Sequence, residues 1–311
     1  MPGEGWEVSD VNEGHSRTWP DWRSLLFVPA SQPALLDKAA ERGADALILD
    51  LEDAVAEADK PAARTAAAEA AGRLHAGNVN VLVRVNAGPL AMMRDLEACV
   101  GPGVQAFVLP KAERPERLAM TDELLADLEE DAGLPVGAIG LVALVETARG
   151  LLAAAELAEA TPRVMALALG AEDLALDLGG EPVPEVLTEP ARRIAWSAHA
   201  AGRAAVGFPD SIANIRDSGR LQTALAAAGR LGFSAAMCVH PAQIELCHQA
   251  FAVTADEAEH AQRVADAFEQ AQRQGTAVCT LDGQMIDRPV VQRAHATLAR
   301  WRRQNPDPSP D

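Results

Sequence analysis

The stretch ALILDLEDAV, residues 46–55, joins a run of aliphatic side chains to three acids, Asp50, Glu52 and Asp53. A continuous apolar run, rather than an alternating one, marks a strand buried on both faces, as in a parallel sheet covered by helices. Carboxylates this close repel one another and each resists desolvation. The stretch therefore reads as a buried strand that ends in a site where positive charge holds its acids.

Outward from this stretch the same pattern recurs. Short apolar runs lie at 24–30, 46–53, 79–86, 105–111, 138–146, 164–173, 204–208 and 234–241, each separated from the next by Ala/Leu-rich sequence with helical spacing. The stretch PALLDKAAERG predicts a helix stopped by Gly43, and MTDELLADLEEDAG one started at Thr121 and stopped by Gly133. Eight strand–helix units predict an α/β fold, a (β/α)8 TIM barrel with a C-terminal helical extension. An open doubly wound sheet is the alternative, but the first strand runs into FVPASQP and no Gly-rich phosphate turn follows any strand. The expected organisation is a flexible, solvated lead-in over 1–22, a catalytic barrel over 23–253, and an extension over 254–311 that packs on the barrel or on a neighbouring subunit. The closing NPDPSPD is expected to fray.

Whole-chain quantities narrow the function classes. At 311 residues and 49% hydrophobic, the chain can bury a barrel-sized core. A formal net charge of −18 argues against nucleic-acid and anionic-membrane surfaces, which would be repelled over most of the exterior. No apolar run approaches the roughly 18 residues of a membrane span, and the first residues carry no basic-then-apolar signal pattern, so a cytoplasmic protein is expected. Four cysteines without CxxC spacing read as core thiols, and the absence of tyrosine removes one common catalytic acid.

In parallel barrels, chemistry sits at the carboxyl ends of the strands. Here those ends carry Asp50, Glu52 and Asp53; Arg84 and Asn86; Lys111; Glu146; Glu172 and Asp173; and His240. So many carboxylates at one mouth call for a counter-ion. Oxygen-only ligands point to a hard dication, and Mg²⁺ takes one or two carboxylates and completes its shell with water and substrate oxygens. Glu146 and Asp173, read as ending adjacent strands about 5 Å apart, are the expected direct ligands. Asp50, Glu52 and Asp53 are expected across the mouth, bonded to metal-bound water or paired with Arg84 and Lys111. Lys60 and Arg64 of KPAAR read either as surface ion-pair partners or as substrate contacts.

The motifs RSLLFVPASQPALLDKA, LILDLEDAV, VRVNA, VLPKAE, ALVETARG, GAEDLALDLG, CVHPAQI and DGQMIDRPVV together resemble the citrate lyase beta-subunit-like proteins, which include malyl-CoA and citramalyl-CoA lyases. The resemblance runs over about residues 23–300. It implies a Mg²⁺-dependent carbon–carbon lyase that cleaves or forms a 3-hydroxyacyl thioester, with an α-keto acid and an acyl-CoA thioester as partners, assembled as a homotrimer or hexamer. By the same resemblance Glu146 and Asp173 are metal ligands and Arg84 contacts the substrate's oxo and carboxylate oxygens. Phe27 and Lys38 hold the CoA portion, and Asp287 is an acid delivered to a neighbouring subunit's site. Gln32 stands where the family motif more often has arginine. An acyl-CoA thioesterase on the same scaffold, a CoA-independent hydroxy-keto-acid aldolase, and a subunit acting only on an acyl-carrier partner are the competing expectations.

Overall fold

The computed structural model describes residues 18–305; the lead-in up to residue 17 and the Pro/Asp-rich tail from 306 lie outside the described residues. Among the described residues the chain divides into two compact units between Ala250 and Phe251.

The first unit holds eight parallel strands: β1 (Ser24–Pro29), β2 (Ala46–Asp50), β3 (Val81–Arg84), β4 (Ala106–Leu109), β5 (Gly140–Val145), β6 (Val164–Leu169), β7 (Ala204–Val206) and β8 (Ala236–Cys238). Each pairs with the next in sequence as far as β7, and β1 pairs with β8. A parallel bridge between Val206 and Ala235, with Gly207 N–H donating to Ala235 O at 2.8 Å, closes the ring. The expected barrel is therefore present. Strands β2, β4, β5 and β6 are buried at every position, which is why they read as unbroken apolar runs.

Register decides what the mouth presents. Asp50 and Arg84, the last residues of β2 and β3, are direct cross-strand partners. The interior is filled by Leu25, Ile48, Leu82, Val108, Val142 and Leu144, with alanines where neighbouring strands crowd. Trp22 is buried in this cluster, with Trp19 edge-on to it at 5.2 Å. The barrel core thus begins upstream of β1, inside the segment expected to be a solvated lead-in.

Three local expectations differ from the fold. The helix expected to start at Thr121 spans Pro115–Asp131, because Pro115 suits the first helical position; Thr121 is buried within it and donates to Arg117 O at 2.8 Å. The strand expected over 164–173 stops at Leu169. Gly170 then caps a helix over Ala171–Asp177, whose first turn holds Glu172 and Asp173, where acids favour the helix dipole. Asp173 accordingly projects from a helix start rather than from a strand end. Lys60 and Arg64 are not surface pairs, and neither lines the cavity at the barrel mouth. Lys60 is buried and donates to Leu51 O and Glu52 O at 2.9 and 3.0 Å, and Arg64 Nε donates at 2.7 Å to the buried Asp95.

The second unit is a helix over Ala255–Arg273, a hairpin of β9 (Cys279–Leu281) and β10 (Gln284–Ile286), and a helix over Arg288–Gln304. Asp282 and Gly283 both take positive φ, as a two-residue hairpin turn requires. Val264, Phe268, Ile286, Val291 and Leu298 form the unit's own apolar cluster. Cys99, Cys238 and Cys247 are buried free thiols and Cys279 is half-buried. Among the described residues no helix is long and apolar enough to cross a membrane.

Candidate active site

At the carboxyl end of the barrel lies a cavity of about 470 Å³. Its polar wall holds Asp50, Asp53, Glu146, Glu172, Asp173 and Asp210 with Arg84, and its apolar wall includes Phe27, Leu144, Leu169, Phe208, Ile212 and Met237.

Arg84 is the hub. Its Nε and Nη2 donate to the two Asp50 oxygens at 2.7 and 2.6 Å, a fork-to-fork pair, and Nη1 donates to Asp53 at 3.2 Å. Three of its N–H bonds are so engaged, and a guanidinium has five, so two remain for a ligand. Burial works against its charge, but the hydrogen bond and the charge of Asp50, with Glu52 and Asp53, hold the guanidinium firmly protonated. Phe27 stacks against it, the ring centre 4.9 Å from the guanidinium carbon.

The three acids of the opening stretch have different surroundings. Asp50 also accepts from Glu52 N and Ala54 N at 2.9 and 3.2 Å, which shapes the loop after β2. Asp53 is exposed. Glu52 is buried behind the cavity, and its Oε2 lies 3.1 Å from Arg84 Nη1 but off the hydrogen-bond direction. Among the described residues it is the one buried side-chain polar atom without a hydrogen-bond partner. Burial pushes the Glu52 carboxyl up to about 7 despite Arg84.

Glu146 follows β5 directly. Its Oε2 accepts from Lys111 N at 2.8 Å. Burial, reinforced by Glu52 and Asp173 and opposed by the Lys111 N–H and Arg84, pushes this carboxyl up to about 8. Lys111 adopts φ +49, a left-handed conformation that side-chain-bearing residues seldom take, and this turns its N–H toward Glu146. The lysine's own side chain is exposed and does not line the cavity. Gly170 completes the seat: a Cβ there would stand 2.3 Å from Glu146 Cγ and 3.0 Å from Oε1. Asp173 faces the same cavity from the helix after β6.

This donor set fits a hard dication. Glu146 and Asp173 share one cavity, and Glu146 is held reluctant to ionise by burial and by like charge. Mg²⁺ asks for one or two such ligands and keeps water or substrate oxygens on its other positions. Among the described residues no group of three or more His, Cys, Asp or Glu could hold a metal ion by itself, which disfavours a closed zinc-type site.

The structure thus gathers Phe27, Asp50, Glu52, Asp53, Arg84, Glu146 and Asp173, with the backbone of Lys111. Lys38 lies on the exposed face of the helix Pro33–Ala39, away from the cavity lining. Asp287 belongs to the second unit, where its carboxylate accepts from Val290 N at 3.2 Å and caps the last helix. Sequence reasoning missed Asp210 and Ser211 after β7. Asp210 takes Arg220 in a fork at 2.5 and 2.7 Å, and Ser211 Oγ donates to Glu172 at 2.5 Å. The acid in GFPD, placed after a strand like the others, was the available signal. Gly170 had none, since its role appears only once Glu146 is in place.

The family model for HpcH/HpaI aldolase/citrate lyase matches residues 23–241. The citrate lyase subunit beta of Escherichia coli strain K12 is 37% identical over 281 residues, covering 89% of this chain and 92% of that protein. A (3S)-malyl-CoA thioesterase of Cereibacter sphaeroides is 34% identical, covering 90% and 94% respectively. The crystal structure of CitE from Mycobacterium tuberculosis with magnesium, acetoacetate and coenzyme A superposes with a TM-score of 0.68 at 35% identity, over 89% of this chain and 97% of that one. The order of motifs along the barrel and these matches agree: the chain belongs to the HpcH/HpaI aldolase/citrate lyase family.

Proposed function

We propose that the protein is a Mg²⁺-dependent carbon–carbon lyase that cleaves, or in reverse forms, a 3-hydroxyacyl thioester, giving an α-keto acid and an acyl-CoA thioester by retro-Claisen chemistry. The observation that carries this reading is that Glu146 and Asp173 line one cavity beside a braced arginine. The relative crystallised with magnesium, acetoacetate and coenzyme A supports it.

Glu146 and Asp173 would hold the ion, and a bound Mg²⁺ would supply Lewis-acid polarisation of the substrate's hydroxyl and carboxylate oxygens. The Lys111 N–H fixes which Glu146 oxygen faces the cavity. Asp50 locks Arg84 in place before substrate arrives, so its two free N–H groups stabilise charge on the substrate without reorganisation, an effect worth about 3 kcal/mol per donor. As the bond between C2 and C3 breaks, the C3 hydroxyl gives its proton to solvent and C3 becomes the keto carbon, while the bonding pair stays on C2, which becomes the enolate carbon of the thioester. In this reading Asp287, supplied by a neighbouring subunit of a homotrimer or hexamer, gives that carbon its proton and takes it back in the reverse direction. Phe27 and Lys38 hold the CoA portion, while Asp50, Glu52, Asp53 and Lys111 form the supporting ring around the ion.

A second reading, thioester hydrolysis on the same scaffold, is favoured by the relative named (3S)-malyl-CoA thioesterase. Product analysis separates the two. Full-length protein with Mg²⁺ and either malyl-CoA or citramalyl-CoA is expected to release acetyl-CoA and the keto acid in equal amounts. Free CoA with the intact hydroxy acid would replace the lyase by the thioesterase, and turnover of neither thioester would contradict both.

A further inference from the structure

We infer that Gln243 is a positioning residue for the reaction: its carboxamide ties the loop after β7 to the turn after β8 and thereby holds Ile212 in the cavity wall, against the substrate. The inference rests on the lyase reading above and deepens it by naming what sets one wall of that site.

The carboxamide is used at both ends. Gln243 is 2% exposed and lies outside the cavity lining. Its Oε1 accepts from Val239 N and His240 N at 2.9 and 3.1 Å, which closes the turn Pro241–Gln243 that His240 caps. Its Nε2 donates at 2.9 Å to Ile212 O, 31 residues back along the chain. Two N–H donors at one end and a carbonyl at the other admit one orientation of the amide, and a glutamate of the same length would turn an oxygen toward that carbonyl. The turn by itself needs only the side-chain oxygen. The nitrogen serves the distant loop.

That loop delivers Ile212 to the site. The half-buried Ile212 side chain lines the cavity and packs against the barrel's interior cluster, whose Leu144 and Met237 line the cavity as well. Residues 211–213 belong to no strand or helix, and side chains grip them from two sides. Ser211 Oγ and Ala213 N both donate to Glu172 Oε1, at 2.5 and 3.4 Å, while Gln243 holds the carbonyl between them. Glu172 precedes Asp173, so the loop is strung from the helix that carries a proposed metal ligand to the turn after the last strand. Loss of the Gln243 grip would let Ile212 leave the wall and would weaken its apolar contact with the substrate. The bonds that seat Arg84 and Glu146, to Asp50, Asp53 and Lys111 N, would stay.

The test is steady-state kinetics of the full-length protein with Mg²⁺ and whichever of malyl-CoA and citramalyl-CoA the wild type cleaves. Gln243→Glu keeps an oxygen for the Val239 and His240 N–H groups and removes only the donor to Ile212 O. It is expected to raise KM about tenfold, with a smaller fall in kcat and the same Mg²⁺ concentration for half-maximal activity. In an Ile212→Ala background the same substitution is expected to change KM by less than about twofold, because no side chain remains to be placed. Ser211→Ala loosens the loop from its other side and leaves Gln243 intact; it should raise KM about threefold and lose that effect in the same background. An unchanged KM in either folded single variant, or an equal rise with and without the Ile212 side chain, would overturn the inference while leaving the lyase reading in place. Cleavage of neither thioester by the wild type would overturn both.

Discussion

Two buried arginine–carboxylate clusters of the barrel, one at each end, are built to opposite specifications. At the amino-terminal end Arg163 is paired with Asp122 and forked onto Glu129 at 2.8 Å through both terminal nitrogens. Glu129 also accepts from Gly137 N and Ile139 N, each at 2.7 Å, and Arg163 donates to Ile139 O. Each Glu129 oxygen thus has two donors. At the carboxyl end, Arg84 serves three acids, Glu52 keeps an oxygen without a hydrogen bond, and Glu146 and Asp173 face a cavity. A satisfied cluster needs nothing further and acts as a clamp. An unsatisfied one is tolerable only where a ligand completes it, which is the physical mark of a functional site.

Substitution should separate the two clusters sharply. Glu146→Gln or Asp173→Asn is expected to reduce Mg²⁺-dependent turnover by about a thousandfold or more, within the range expected for losing transition-state charge stabilisation. Thermal melting should show the fold of either variant undiminished, because Gln at position 146 mimics the neutral acid that burial favours. The opposite result is expected at the other end: Glu129→Gln or Arg163→Met should lower stability by about 3–5 kcal/mol, the usual consequence of stranding a buried charge. Denaturant unfolding measures it. Full turnover in Glu146→Gln, or unchanged stability in both Glu129→Gln and Arg163→Met, would remove the distinction.

A smaller effect probes the seat of Glu146. Gly170→Ala places a methyl group where Glu146 now lies, so Mg²⁺ should be needed at about tenfold higher concentration for half-maximal activity, equivalent to one decade in affinity. Direct Mg²⁺ titration of the variant should show the same loss, whereas melting of the metal-free protein should change little. Unaltered Mg²⁺ dependence would mean that Glu146 is not the ligand.

The smallest effect is a pH dependence. The Glu146 and Glu52 carboxyls stand at about 8 and about 7, against an ordinary value of 4.5. A carboxyl raised in the folded state favours folding fully below its unfolded pKa, and that contribution is lost as pH climbs through the folded one. The metal-free protein should therefore lose stability between about pH 4.5 and pH 8 from these groups. A dication that holds Glu146 ionised reverses its part, so the rise in Tm on adding Mg²⁺ should be greater at pH 8.5 than at pH 5.5. An equal rise at both would contradict the placement of the ion.

The same contrast explains what could be read in advance. The barrel was legible because eight buried strands leave unbroken apolar runs and because Gly43 and Gly133 punctuate the helices after them, both at positive φ. The acids of the mouth were legible as charges at strand ends, and Asp50 with Arg84 fell into cross-strand register as that placement required. What could not be read were the contacts that leave no mark at a strand end. Glu129, inside a helical stretch, and Arg163, just before the sixth apolar run, look like surface charges and become a clamp only in the folded barrel. Gly170 acquires meaning through Glu146, Lys111 acts through a backbone N–H that no side-chain pattern reports, and Lys60 is drawn inward by two carbonyls. Trp22 looked like part of a polar lead-in because its neighbours in sequence are polar, whereas its neighbours in space are the barrel interior.

The most direct test of the account is the anomalous difference density of Mn²⁺, a Mg²⁺ surrogate, in crystals of the full chain soaked with a 2-oxo acid. The expected result is a single peak in the barrel cavity about 2.0–2.2 Å from one oxygen each of Glu146 and Asp173, with the keto acid on its open side. A peak elsewhere, or a bound ion that touches neither carboxylate, would contradict it.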